Sequence, residues 1–189
     1  MIMNKTIIML GTAVLAMAMT TACSLSDDDD ALAYPDDFMP EGEFVASFTS
    51  SEVSSSHIQS FFASELPHHC HSAANYSTLW GNNDSRNDTC AVINSAEQFR
   101  SFYHGTKPLP DIDFSTHTLV VGWQEIDMPV SDITRVELRK TPDAHALYVF
   151  TVRYATDSFF AVVVPLYYWA IFPKMDVSTI KVNTIIAKT

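Results

Sequence analysis

The chain is poor in glycine and in positive charge. Five glycines in 189 residues, with 17% charged residues, exclude a collagen-like chain, a flexible linker or a generally disordered polymer. Eleven Lys and Arg stand against 22 Asp and Glu, and no basic stripe exists to track phosphates, so a nucleic-acid partner is not expected. No apolar run reaches the ~20 residues of a membrane-spanning helix. Ile7 to Met19 has 13 uncharged residues, and Phe159 to Phe172 has fourteen with Pro165 inside and a β-branched valine run. There is no G-x-S-x-G, H-E-x-x-H, P-loop or G-x-G-x-x-G. A non-enzymatic protein is therefore expected.

What is present begins with an address. Lys5 supplies a positive start, Ile7 to Met19 an apolar centre, and small residues lead to Ala22-Cys23. This segment resembles a bacterial lipoprotein signal. The resemblance implies cleavage before Cys23 and a covalent lipid on its thiol. No other cofactor is expected. Residues 1–22 are then the signal peptide. Residues 23–43 carry eight carboxylates, no Lys or Arg, and Pro35 and Pro40, the composition of a solvated, self-repelling tether. Ser26-Asp27-Asp28-Asp29-Asp30 close behind the cysteine resembles the export signal of Bacteroidota surface lipoproteins. That likeness implies outer-membrane anchoring with the body facing the cell exterior.

Apolar patterning starts at Phe44, so 44–189 is expected to be one domain, large enough for a real core. Phe44, Ala46 and Phe48 alternate as a short strand. Ser54 to Leu66 carries Ile58, Phe61, Phe62 and Leu66 at helical spacing, with Pro67 after it. The Trp80-Gly81-Asn82-Asn83-Asp84 run reads as the tip of a loop or hairpin. Ser95 caps a helix over Ala96 to His104, Gln98 completes a capping box, and Gly105 suits a left-handed terminus. Four β-rich runs follow: Thr118 to Gln124, Ile133 to Lys140, Leu147 to Tyr154, and Ile180 to Ile186. Between the last two lies a nearly all-apolar stretch from Ser158 to Phe172. Val136 and Leu138 alternate with Arg135, Glu137 and Arg139, which are expected on a solvent face. Short connections favour an antiparallel C-terminal meander. The expected fold is α+β, with a sheet of about five strands and one or two N-terminal helices packed on it.

With Cys23 acylated, Cys70 and Cys90 form an even pair in an oxidising compartment, enclosing 19 irregular residues. A disulfide there would remove unfolded-state entropy worth about 3 kcal/mol. His68, His69 and His71 offer imidazoles beside Cys70, a weak metal candidate, since no second ligand pair stands at metal-site spacing. Asp111 and Asp113 suit acid/base or Ca²⁺ chemistry, but such residues more commonly hold a turn. Tyr167, Tyr168 and Trp169 are a candidate aromatic platform for a glycan or protein.

The order Val92 to Phe99, Pro110 to Ser115 and Thr118 to Val121 is strand, capped helix, Asp-Phe-Ser turn and returning β-run. It resembles uncharacterised Bacteroidota lipoproteins and, more distantly, the C-terminal domain of a spirochaete protease-complex lipoprotein. The likeness spans about residues 90–125 and a strand-rich tail. It implies a non-enzymatic accessory or interaction role, with a subunit of an extracellular protease complex as one form. Separately, the His68 to His71 loop leaves a metal-binding protein as a further alternative.

Overall fold

The computed structural model describes residues 38–68, 76, 79–81, 89–127, 130–153, 163–177 and 179–187. Among the described residues, seven strands form two sheets, accompanied by two α-helices. β1 (Glu43–Phe48), β4 (Val130–Lys140), β5 (His145–Arg153) and β7 (Ile180–Ala187) make the first, in the order β1-β4-β5-β7. β2 (Thr89–Ile93), β3 (His117–Ile126) and β6 (Val164–Pro173) make the second, in the order β2-β3-β6. The mixed α+β class agrees with the sequence. The single five-stranded meander does not: β4 and β5 form a hairpin, but β6 leaves for the second sheet and β7 returns to lie parallel to β5.

The second sheet is the middle layer of three. Leu119, Val120 and Val121 on β3 are all buried, so both faces of that strand are covered. This is why β3 and β6 read as almost unbroken apolar runs rather than as alternating ones. On one face, the Trp169 ring of β6 stacks on Phe62 at 4.0 Å. On the other lie Val120, Tyr168, Ala170 and Phe172, in one core with Val136 and Leu138 of β4 and Leu147 and Val149 of β5. Prolines sit at the two ends of β6, at Pro165 and Pro173; β6 is a sheet edge, where a missing donor is tolerated.

The helices, α1 (Ser56–Glu65) and α2 (Ala96–Phe102), supply Phe61, Phe62 and Phe99 to that core. Both start where the side chains dictate. Ser55 accepts from the Ile58 N–H, and Ser95 from the Gln98 N–H at 3.1 Å. The Gln98 side chain reaches back one residue further than a capping box requires, accepting from the Asn94 N–H at 2.6 Å. The end of α2 departs from expectation. The helix stops at Phe102, Tyr103 is extended, and only Gly42 and Gly81 among the described glycines have positive φ. Gly105 is needed for room: a Cβ there would overlap the Tyr103 phenol ring.

That phenol is part of a knot between the helices. Tyr103 donates to Glu65 Oε2 at 2.6 Å, Lys107 Nζ lies 2.9 Å from Oε1, and Trp80 Nε1 donates to the Glu65 backbone oxygen at 2.8 Å. Burial works against the Glu65 carboxylate, yet the bonds from Tyr103, Lys107 and Ser64 together hold it below the usual carboxylate range. Burial, reinforced by the Glu65 carboxylate, pushes the Tyr103 hydroxyl up to about 12. Trp80 is therefore not at a loop tip. It is buried against Phe61, Phe62, Phe99 and Tyr103 and forms a β-bridge with Tyr103.

Candidate functional site

Of the residues singled out in the sequence, Cys23, Ser26 and Asp27 to Asp30 lie outside the described residues, as do Cys70, His69 and His71. Cys90 stands on β2 as a free thiol, so the expected pairing with Cys70 rests on the sequence alone. In register, Gly122 lies between Cys90 and Tyr168. With no side chain intervening, the Tyr168 hydroxyl reaches the sulfur. Burial pushes the thiol up to about 11 against that opposing hydrogen bond, which makes it a poor nucleophile in this form.

Tyr167, Tyr168 and Trp169 are 3%, 1% and 3% exposed, which overturns their reading as a surface platform. Alternation sends Tyr167 and Trp169 to the helices and Tyr168 to the first sheet, and both layers are closed over them. Asp113 is a turn-holder. Its carboxylate accepts from the Ser115 hydroxyl, the Thr116 hydroxyl and the Ser115 N–H, which hold it below the usual range. Asp111 is exposed in the loop before it.

His68 caps a strand edge. Its Nε2 lies 3.0 Å from the Trp169 oxygen and 3.3 Å from the Trp169 nitrogen, on the side of β6 where no strand pairs with it among the described residues. One ring nitrogen of the proposed metal ligand is thereby engaged with backbone. Among the described residues, no group of three His, Cys, Asp or Glu is placed to hold a metal. Desolvation lowers the His68 pKa, outweighing the Trp169 bond and the Asp132 carboxylate, which raise it. A histidine kept neutral in the fold binds fewer protons than in the unfolded chain. Its share of stability is full above about pH 6.5 and is lost as pH falls from there through the lowered folded value. Urea melts at pH 7.5 and 5.5 are expected to show a pH-dependent loss that His68→Gln reduces. An equal loss in the variant would remove His68 as its source.

The outer face of the first sheet, away from the core, holds the most distinctive chemistry. Arg135, Glu137 and Arg139 follow one another on β4, facing Phe150, Tyr148 and Ala146 of β5. Glu137 is completely buried and ion-paired to both arginines, at 3.6 Å from Arg135 and in direct hydrogen bond with Arg139. This corrects the expectation of a solvated row. The guanidinium of Arg135 lies 4.2 Å from the centre of the Phe150 ring, and that of Arg139 lies 5.9 Å from Phe44. The chain enters across this face. Phe38, assigned to the tether by sequence, meets Tyr148 and Phe150 edge-on at 5.8 and 6.2 Å. The Glu41 N–H donates to the Tyr148 hydroxyl at 3.0 Å, and Arg139 donates to the Gly42 oxygen at 2.8 Å.

No family model, curated protein or solved structure matches the chain. Beside the entering segment a cleft of about 620 Å³ opens, with Phe38, Tyr148 and Ile185 among its apolar lining and Glu41, His145 and Lys181 among its polar lining. Its size is that of a ligand pocket, and its mixed lining suits a polar ligand with an apolar face. Sequence reasoning missed it because Phe38 to Gly42 were read as spacer. The available signal was Phe38-Met39, an apolar pair inside an acidic stretch.

Proposed function

We propose that this chain is a lipid-anchored outer-membrane surface lipoprotein whose α+β body is a non-enzymatic binding module for a protein or a glycan. The observation that carries the reading is Ala22-Cys23 with Ser26 to Asp30 directly behind it, a lipidation junction followed by an acidic export-like run. The cleft beside Phe38 supports it, because it offers a binding surface on a body held away from the membrane by the tether. The test is labelling with a palmitate analogue together with protease shaving of intact cells. Label is expected in the native chain and absent in Cys23→Ser, and the body should be digested without lysis. A body that resists protease until cells are broken would reject surface display. The likeness over residues 90–125 favours one further reading, an accessory subunit of an extracellular protease. On that reading, crosslinking on cells recovers a protease as the dominant partner.

A further inference from the structure

We infer that the open edge of β1 accepts an extended, cationic segment of a partner protein as an added strand. The inference rests on the reading of the body as a binding module and names the class of its partner. Among the described residues, β1 is the last strand of the first sheet and spends only one of its edges on β4. The chain's exposed apolar side chains gather there. Met39, Phe44 and Val45 are 77%, 44% and 42% exposed, and among the described residues only Val163 joins them as an exposed large hydrophobic. Val45 is the extra residue at a register shift between Phe44 and Ala46, so it has no pairing residue on β4.

Charge selects the occupant. Glu41, Glu43 and Glu52 are exposed along this segment, and Met39 to Glu52 contains no Lys or Arg. Of the nearby cations on β4, Arg139 is engaged by Glu137 and Gly42, which leaves Lys140, opposite Glu43 in register, against three exposed glutamates. A second copy would bring the same carboxylates and a net negative charge of its own. A segment alternating apolar and basic residues instead meets the edge with backbone hydrogen bonds, apolar contacts to Phe44 and Val45, and countercharge to the glutamates. The register shift breaks the regular ladder after two residues. It therefore limits indiscriminate pairing while leaving a short site.

The probe is a ten-residue peptide of alternating valine and lysine, titrated by fluorescence anisotropy against the full chain in detergent. Two comparison peptides replace lysine by glutamate or methylate alternate backbone nitrogens. Binding of the lysine peptide is expected, at least tenfold weaker for both comparison peptides. It should be at least tenfold weaker again for the Phe44→Ser/Val45→Ser double variant, whose circular dichroism should match that of the native chain. Undiminished binding of the methylated peptide would mean charge alone attracts it and would overturn strand addition. Absence of binding by the lysine peptide would overturn it as well. So would a dimer in light scattering that the double variant abolishes, since the edge would then belong to a second copy. Protease shaving reads surface display separately, so a negative titration with a body that is shaved on cells overturns the edge alone.

Discussion

Replacing Glu137 by alanine should cost about 3–5 kcal/mol of stability, the usual cost of leaving buried charges without their partner. For a domain of this size that is a fall in Tm of roughly 10 °C. The cause is the arrangement on β4. Arg135 and Arg139 converge on one completely buried carboxylate, and removing it takes the shared counter-ion from two largely buried guanidinium groups. The aromatic faces of Phe150 and Phe44 soften that loss, but a ring quadrupole contributes only about 1–2 kcal/mol. Removing all three charges together is gentler. The triple leucine variant at 135, 137 and 139 should lose less than the single alanine, because well-packed apolar groups can replace a buried ion cluster at little cost. Denaturant melts of the two variants decide the matter. A single variant that loses under about 0.5 kcal/mol would mean that Glu137 behaves as a surface residue.

Gly105→Ala is the second large effect, about 3 kcal/mol, at the upper end of the cost of forcing a group into occupied space. The methyl group would enter the volume of the Tyr103 phenol, whose hydroxyl is fixed on Glu65 and whose ring packs against Phe61 and Trp80. Gly105→Asn separates this cause from a backbone one. Asparagine tolerates the left-handed conformation, so it would be mild if Gly105 were only a helix terminator. Here it should be at least as damaging as alanine. Thermal melts in which asparagine is tolerated and alanine is not would return the glycine to a backbone role.

These two residues also mark what could be read from the sequence. The start of α2 was legible because capping is local: Ser95 acts on an N–H three residues away. For α1 the apolar spacing gave the helix, but its cap, Ser55, lies one residue inside the expected start at Ser54. The reason for Gly105 was not legible, since it lies in a side chain whose position Glu65 fixes from another helix. Strand alternation placed Val136 and Leu138 on one face and Glu137 on the other correctly. It was silent on whether that other face is covered, so Glu137 was assigned to solvent. The same gap misplaced Tyr167 to Trp169, where a middle layer buries both faces of β6. The division into two sheets was hidden because short turns argue for adjacency and say nothing of a strand that crosses to another layer. At the candidate site, the acidic composition of 23–43 concealed the point where the chain stops being tether and starts packing. Phe38 is held by Tyr148 and Phe150, more than a hundred residues later.

The strand order also imposes a schedule on folding. β1 finds its partner only in β4, with Phe48 opposite Val136 and Glu43 opposite Lys140. β5 cannot gain its second neighbour until Ile180–Ala187 has been made and β6 has been threaded into the other sheet. A chain synthesised from its N-terminus therefore leaves β1 without its partner until Val130–Lys140 has been made. The sheet closes only when nearly the last residues arrive. Such long-range pairings fold on a scale of milliseconds to seconds. The acidic run upstream puts the same charge on every emerging chain, which opposes association of chains whose sheet is still incomplete.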